Sequence, residues 1–134
     1  MSDTMHTVLI VDDEDVIRNL TRTLFRLAGY EVLTCQSGLE ALDLMQARGG
    51  NVHLLVTDIN LDPIMDGFEL AESLRAFYPA IKVLYISGME DRQRLGDELA
   101  SGRAHFLAKP FRPRDLTEKA DEILSRSGAT VVSR

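Results

Sequence analysis

Four short apolar runs, spread along the whole chain, each end on residues that can do chemistry. Val8-Leu9-Ile10-Val11 leads into the acidic pair Asp12-Asp13, and Leu54-Leu55-Val56-Thr57 leads into Asp58. Lys82-Val83-Leu84-Tyr85-Ile86 ends on Ser87, and the run from His105 to Ala108 ends on Lys109-Pro110. The nearly all-apolar run Leu54 to Thr57 suits a strand buried on both faces, the mark of a central strand in a parallel sheet. In an open parallel sheet the C-terminal strand ends border the crevice where ligands bind. Carboxylates, a hydroxyl and one ammonium converging on that edge point to a divalent cation and a phosphoryl group.

Helix-like segments fill the gaps between these runs. After a first strand at Thr7 to Val11, the residues Val16, Leu20, Thr23, Leu24 and Leu27 fall on one face at helical spacing, and Gly29 stops the helix. A short, partly polar second strand, Glu31 to Cys35, suits a position nearer the sheet edge. Ser37 is placed to cap a helix over Gly38 to Ala47 with Leu39, Leu42 and Met45 as its stripe, and Gly49-Gly50-Asn51 breaks the chain. A third helix is expected from Phe68 to Phe77, with Leu70, Ala71, Leu74 and Phe77 inward and Pro79 ending it. The segment Asp91 to Ser101 is the weakest helix, because Gly96 interrupts a thin apolar stripe. Pro113 suits the first turn of a last helix facing inward through Leu116, Ala120, Ile123 and Leu124. A loose tail is expected over 125–134, outside a core of 7–124. Five strands alternating with five helices through short connections imply one doubly wound α/β domain over 1–134.

Length and composition agree with a single core: 134 residues, 45% apolar and 27% charged. A net charge of -6 with pI near 5.0 argues against a nucleic-acid binder that needs a broad basic face. Arg92, Arg94, Arg103, Lys109, Arg112 and Arg114 form a local basic excess, read first as a solvated surface and second as a partner-docking face. Cys35 is the only cysteine, so no internal disulfide forms, and without an obvious histidine partner it reads as a packed thiol. No apolar stretch reaches membrane-spanning length, and Met1-Ser2-Asp3-Thr4 lacks the features of a secretion signal. The expected location is cytoplasmic, with neither membrane nor nucleic acid as partner.

The carboxylates carry the first chemical argument. If strands one and three are neighbours, Asp12, Asp13 and Asp58 lie together, and each close pair of like charges costs about 1–4 kcal/mol. A hard cation among them removes that cost. Mg2+ suits the arrangement because it takes oxygen ligands, keeps several waters and bridges carboxylate to phosphate. The blander reading is that single acidic residues cap the helices that follow. Ser87 and Lys109 favour the first reading, since a phosphoryl group on a carboxylate calls for a cation, a point-charge donor and a neutral donor.

Val11-Asp12-Asp13-Glu14, Asp58, Ser87-Gly88 and Lys109-Pro110-Phe111, in this order and at these spacings, resemble the receiver domain of two-component response regulators, the CheY-like proteins. The likeness covers roughly Thr7 to Leu124. It implies a flavodoxin-like (βα)5 fold with strand order 2-1-3-4-5. It also implies that Asp58 accepts a phosphoryl group from a histidine kinase or phosphotransfer protein. Asp13, Asp58 and the backbone carbonyl of Asn60 would ligate Mg2+, with Asp12 acting through metal-bound water. Lys109 would pair with the phosphoryl oxygens and the Ser87 hydroxyl would swing to bond one of them. Phe106 matches the aromatic residue that turns inward with that hydroxyl, and Lys109-Pro110 matches a cis peptide. Asn60 would orient the water that cleaves the acyl phosphate, and Met89 would screen it in part. Output would run through helix four, strand five and helix five, by protein contact or onward transfer, because no effector domain follows the last helix. The stretches around Ser87 and Lys109 are particularly similar to receivers joined to hybrid sensor histidine kinases.

One segment departs from the family pattern. Asp58 and Gly67 are nine residues apart, where the family's loop reaches its Asp/Asn-Gly turn after eight, and Pro63 is also one place late. The extra residue lies around Leu61-Asp62, with Asp62 expected to face water. The same stretch imitates a calcium loop, with Asp58, Asn60, Asp62 and Glu69 at ligand spacing. Pro63 stands where that loop needs glycine, and a strand-like run precedes it rather than a helix. A Mg2+-dependent phosphatase of the haloacid dehalogenase type is a second rival, but it wants Asp-x-Asp after strand one, where this chain has Glu14, and room for a cap. A degenerate receiver acting as a protein-binding scaffold is the third.

Overall fold

The structure, a computed structural model, describes residues 5–128. Its strands are β1 (Thr7–Val11), β2 (Glu31–Cys35), β3 (Leu54–Asp58), β4 (Lys82–Gly88) and β5 (His105–Lys109). They form one sheet in the order β2-β1-β3-β4-β5, with every neighbouring pair parallel. The helices α1 (Asp15–Leu27), α2 (Gly38–Arg48), α3 (Gly67–Phe77), α4 (Gly96–Ser101) and α5 (Pro113–Gly128) alternate with the strands. This is the flavodoxin-like architecture implied by the sequence.

Alternation along each strand sends side chains to two separate cores. Leu9, Val11, Leu55, Val83, Tyr85 and Phe106 pack on one face against Ala41 and Met45 of α2 and Leu70, Ala71 and Leu74 of α3. Val8, Ile10, Leu54, Val56, Leu84 and Ile86 pack on the other against Phe25 of α1 and Leu116, Ala120 and Ile123 of α5. Strands buried on both faces are why the runs read as almost wholly apolar.

The local signals account for the element ends. The Ser37 side chain accepts a hydrogen bond from the Glu40 N–H and so caps α2, whose far end closes at Gly49 in a left-handed conformation, φ 67°. Asp66 and Glu69 form a reciprocal capping box at the start of α3.

Four expectations are corrected. The buried face of α1 is Thr21 and Phe25 with Ile17 and Leu24 half-buried, whereas Val16, Leu20 and Leu27 are 76%, 52% and 81% exposed and Thr23 is exposed. Both phases fit helical spacing, and packing against the sheet selects the one carrying the large Phe25 ring. Leu39 of α2 and Phe77 of α3 likewise face solvent, leaving Ala41 and Met45, and Leu70, Ala71 and Leu74, as the buried stripes. The helix expected over Asp91 to Ser101 is two pieces, a 3-10 segment at Met89–Leu95 and then α4 from Gly96. Finally, α5 continues to Gly128, past Leu124, since backbone bonding does not need the apolar stripe. The rest of the expected tail, 129–134, lies outside the described residues.

Candidate functional site at the C-terminal edge of the sheet

Strand register alone brings the chemistry together. Val11 pairs with Thr57, which sets Asp12 level with Asp58 on the neighbouring strand. Asp58 pairs with Ile86, Ser87 with Ala108, and Gly88 with Lys109. Residues from β1, β3, β4 and β5 therefore emerge within one or two positions of each other at one edge. Lys109 Nζ lies 2.8 Å from Asp58 Oδ2, joining the ends of β3 and β5. The Lys109–Pro110 peptide is cis.

Asp12 is buried while Asp13 is exposed. The Asp12 Oδ1 accepts from the Glu14 N–H at 2.9 Å, and its carbonyl accepts from Arg18 Nη1 at 2.8 Å. Burial raises the Asp12 carboxyl above the usual carboxylate range, and the nearby Asp58 and Asp13 charges push the same way, against the Glu14 N–H and Lys109. For Lys109, burial works to lower the ammonium, but the hydrogen bond and charge of Asp58, with Asp12 and Glu14 behind, win and hold it above the ordinary value. The edge is thus an anionic site in which Lys109 offsets part of the charge.

Among the described residues no three His, Cys, Asp or Glu side chains meet as a ready-made metal-binding group. Mg2+ does not ask for one, since it is bound through one or two carboxylates and keeps several waters. The donor set fits such a cation: Asp12 and Asp58 follow paired residues of neighbouring strands at one edge, with Asp13 exposed next to Asp12.

The loop after β3 follows its own geometry. The Asn60 N–H bonds to Asp58 Oδ1 at 3.0 Å, and Asp62 Oδ1 accepts from the N–H groups of Ile64 and Met65 at 2.9 and 3.0 Å. The inserted residue is absorbed by that turn, and Asp62 is half-buried rather than facing water. The loop closes where Gly67 N–H donates to the Ile59 carbonyl at 2.8 Å. A Cβ on Gly67 would stand 2.3 Å from the Asp58 carbonyl oxygen, so only glycine allows α3 to start this close to Asp58. With Asp62 spent on backbone and Glu69 on the α3 cap, the calcium-loop ligand set does not form.

Ser87 follows Ile86, the register partner of Asp58, and Phe106 pairs with Tyr85 one position lower on the sheet. Ser87 is buried and its hydroxyl donates to Asp91 Oδ2 at 2.5 Å. Phe106 is 8% exposed, with the Arg92 guanidinium carbon 6.0 Å from its ring centroid. The inward Phe106 and the Ser87–Asp91 bond coexist. Sequence pattern does not mark Asp91 as part of the site; the only signal for it is a carboxylate one turn beyond a strand-end serine. The Ser87 bond is the main reason its carboxyl lies below the usual range, with Arg94 and Asn60 helping against burial.

Elsewhere the other singled-out residues take structural places. Cys35 is buried, and burial, reinforced by Glu40, pushes its thiol up to about 12, so it packs as an inert group. The local basic residues are offset by neighbours: Arg94 pairs with Asp91, Arg112 with Asp115, Arg114 with Glu118, and Arg103 reaches Glu98. Met89 is 60% exposed beside the site. Among the described residues no helix is long and apolar enough to cross a membrane.

Comparison with known proteins gives a consistent result. The family model described as the response regulator receiver domain matches residues 8–121. The sensor kinase CckA of Brucella abortus is 36% identical over 120 residues, covering 90% of this chain. A chemotaxis protein CheY homolog of Campylobacter jejuni is 32% identical over 120 residues, covering 87% of this chain and 91% of its own. The chain spans only 13% of the length of the sensor kinase, and less than half of several other curated relatives. Among solved structures, a CheY-like receiver domain protein from Methanospirillum hungatei superposes with a TM-score of 0.81 at 30% identity, covering 92% of this chain and 97% of its own.

Proposed function

Since the chain belongs to the response regulator receiver family of two-component signalling, we propose that Asp58 accepts a phosphoryl group from a phosphohistidine of a histidine kinase or phosphotransfer protein. The observation that carries this reading is the Lys109 Nζ to Asp58 Oδ2 contact of 2.8 Å, made beside buried Asp12 at the C-terminal edge of the sheet. A carboxylate oxygen of Asp58 forms the new P–O bond as the P–N bond to imidazole breaks, and the leaving ring nitrogen takes up a proton. Lys109 exchanges its bond to Asp58 for one to the transferred oxygens and neutralises charge there. Asp13, Asp58 and the Asn60 carbonyl would hold Mg2+, with Asp12 acting through its water. When bound, that cation supplies positive charge beside the oxygens in transfer.

The domain, 5–128 as described, promotes only its own phosphorylation and dephosphorylation in this reading. Release of Ser87 toward the phosphoryl group, with Phe106 below it, would alter the face built from α4, β5 and α5, and so which protein the domain contacts. Nucleic acid and membrane are not partners in this reading, and the cytoplasm is its place of action.

The test is incubation with acetyl phosphate and Mg2+, read by intact mass at short and long times. The wild type gains one phosphoryl group and Asp58→Asn gains none. A wild type that neither labels nor binds the phosphoryl mimic beryllofluoride would overturn the reading in favour of a scaffold.

A further inference from the structure

The carboxylate of Asp91 joins three elements. It is 8% exposed. Its Oδ2 accepts from the Ser87 hydroxyl at 2.5 Å and from the Asn60 side-chain amide at 3.4 Å. Its Oδ1 accepts from Arg94 at 3.2 Å, and that guanidinium lies over the Phe68 ring, 4.7 Å from the centroid. The end of β4, the loop after β3 and the 3-10 segment are thus tied at a single side chain. A serine hydroxyl has one proton to donate, and a carboxylate can only accept it. While that proton goes to Asp91, it cannot go to an oxygen carried by Asp58.

We propose that Asp91 is a positioning residue that holds Ser87 in the unphosphorylated arrangement, so that the strength of this bond sets how readily the domain converts. The proposal rests on Asp58 being the phosphoryl acceptor. Conversion exchanges one charge-assisted hydrogen bond of Ser87 for another, which keeps the two arrangements close in free energy. Asn60 and Arg94 remain on the Asp91 carboxylate after Ser87 leaves, so the buried charge is not orphaned. Arg94 is in turn held by the Phe68 ring, which fixes the latch to α3. Asn60 follows Asp58 by two residues, so the same carboxylate reaches the loop on the acceptor's other side. Substitutions at Asp91 should therefore act on conversion without touching the reacting atoms.

The experiment is a double-mutant cycle read by beryllofluoride binding with Mg2+, followed through backbone amide NMR shifts. Asp91→Asn keeps the side chain's shape and an acceptor oxygen but loses the charge, so its bond to Ser87 weakens. The expected result is a Kd about tenfold lower than wild type. In the Ser87→Ala background the same substitution should change the Kd by less than about twofold. Equal tightening in both backgrounds would mean a general field effect and would overturn the proposal, as would no tightening at all. A wild type that fails to bind brings down the acceptor reading and this one with it; a wild type that binds, with Asp91→Asn unchanged, brings down the latch alone. Thermal melts show whether the variants fold. A measurement on the wild type alone tests the same bond without any substitution: the Ser87 hydroxyl proton should exchange slowly and couple to the Asp91 carboxyl carbon, and lose that coupling with beryllofluoride. A Ser87 proton without that coupling in the free protein overturns the proposal.

Discussion

Asp12 shows what burying a carboxylate beside like charges costs. Burial, reinforced by the Asp58 and Asp13 charges, outweighs the Glu14 N–H bond and the Lys109 charge. The folded state therefore holds the Asp12 proton more tightly than the unfolded chain does. Stability from this group is greatest below its ordinary value of 3.8 and falls as pH rises through the raised folded value. Asp12→Asn keeps the acceptor for the Glu14 N–H and removes the charge. In chelator-treated protein this variant should melt above wild type at neutral pH, and the gap should close as the pH approaches 3.8, by differential scanning calorimetry. A variant that melts lower at neutral pH would show that the charge is already compensated. Asp91 makes the complementary point about legibility. Nothing in the linear pattern separates Asp91 from Glu90 or Asp97. Only the 3-10 winding after β4 turns its carboxylate back onto Ser87.

At the scale of an element, α1 carries more apolar residues than one face needs. Val16, Leu20, Leu24 and Leu27 obey helical spacing, and so do Ile17, Thr21, Leu24 and Phe25. Phe25 is wholly buried and meets Tyr30 edge-on with ring centroids 5.4 Å apart, which fixes the second phase. Thr21 tolerates burial because its hydroxyl donates to the Ile17 carbonyl at 2.8 Å within the same helix. Phe25→Ala is expected to cost about 3–5 kcal/mol, while Val16→Ala should stay within about 0.5 kcal/mol. Urea unfolding of both variants checks this, and comparable losses would contradict the assigned face. In α3 the same ambiguity is smaller, because Leu70, Ala71 and Leu74 already define a stripe and Phe77 merely extends it past the last buried turn.

For the molecule as a whole, the decisive contact joins residues 51 positions apart, Lys109 and Asp58. Lys109 is the cation that the parallel sheet delivers against the carboxylates of β1 and β3, and it opposes any second cation there. Lys109→Met should therefore bind Mg2+ more tightly than wild type by isothermal titration calorimetry, while losing phosphorylation by acetyl phosphate. Weaker Mg2+ binding by this variant would mean that Lys109 organises the carboxylates rather than competing with metal. The apolar runs and the residues that end them were enough to mark parallel strands covered on both faces and the chemistry at their C-terminal ends, while the strand order that gathers those ends came from the resemblance to the receiver family, since burial of both faces leaves many orders open. Tertiary structure alone decided which stripe of α1 turns inward, that the segment after β4 winds as a 3-10 turn, and that Ser87 is held by Asp91. Those outcomes depend on packing between elements, where several local patterns are equally satisfied and only the fit against the sheet separates them.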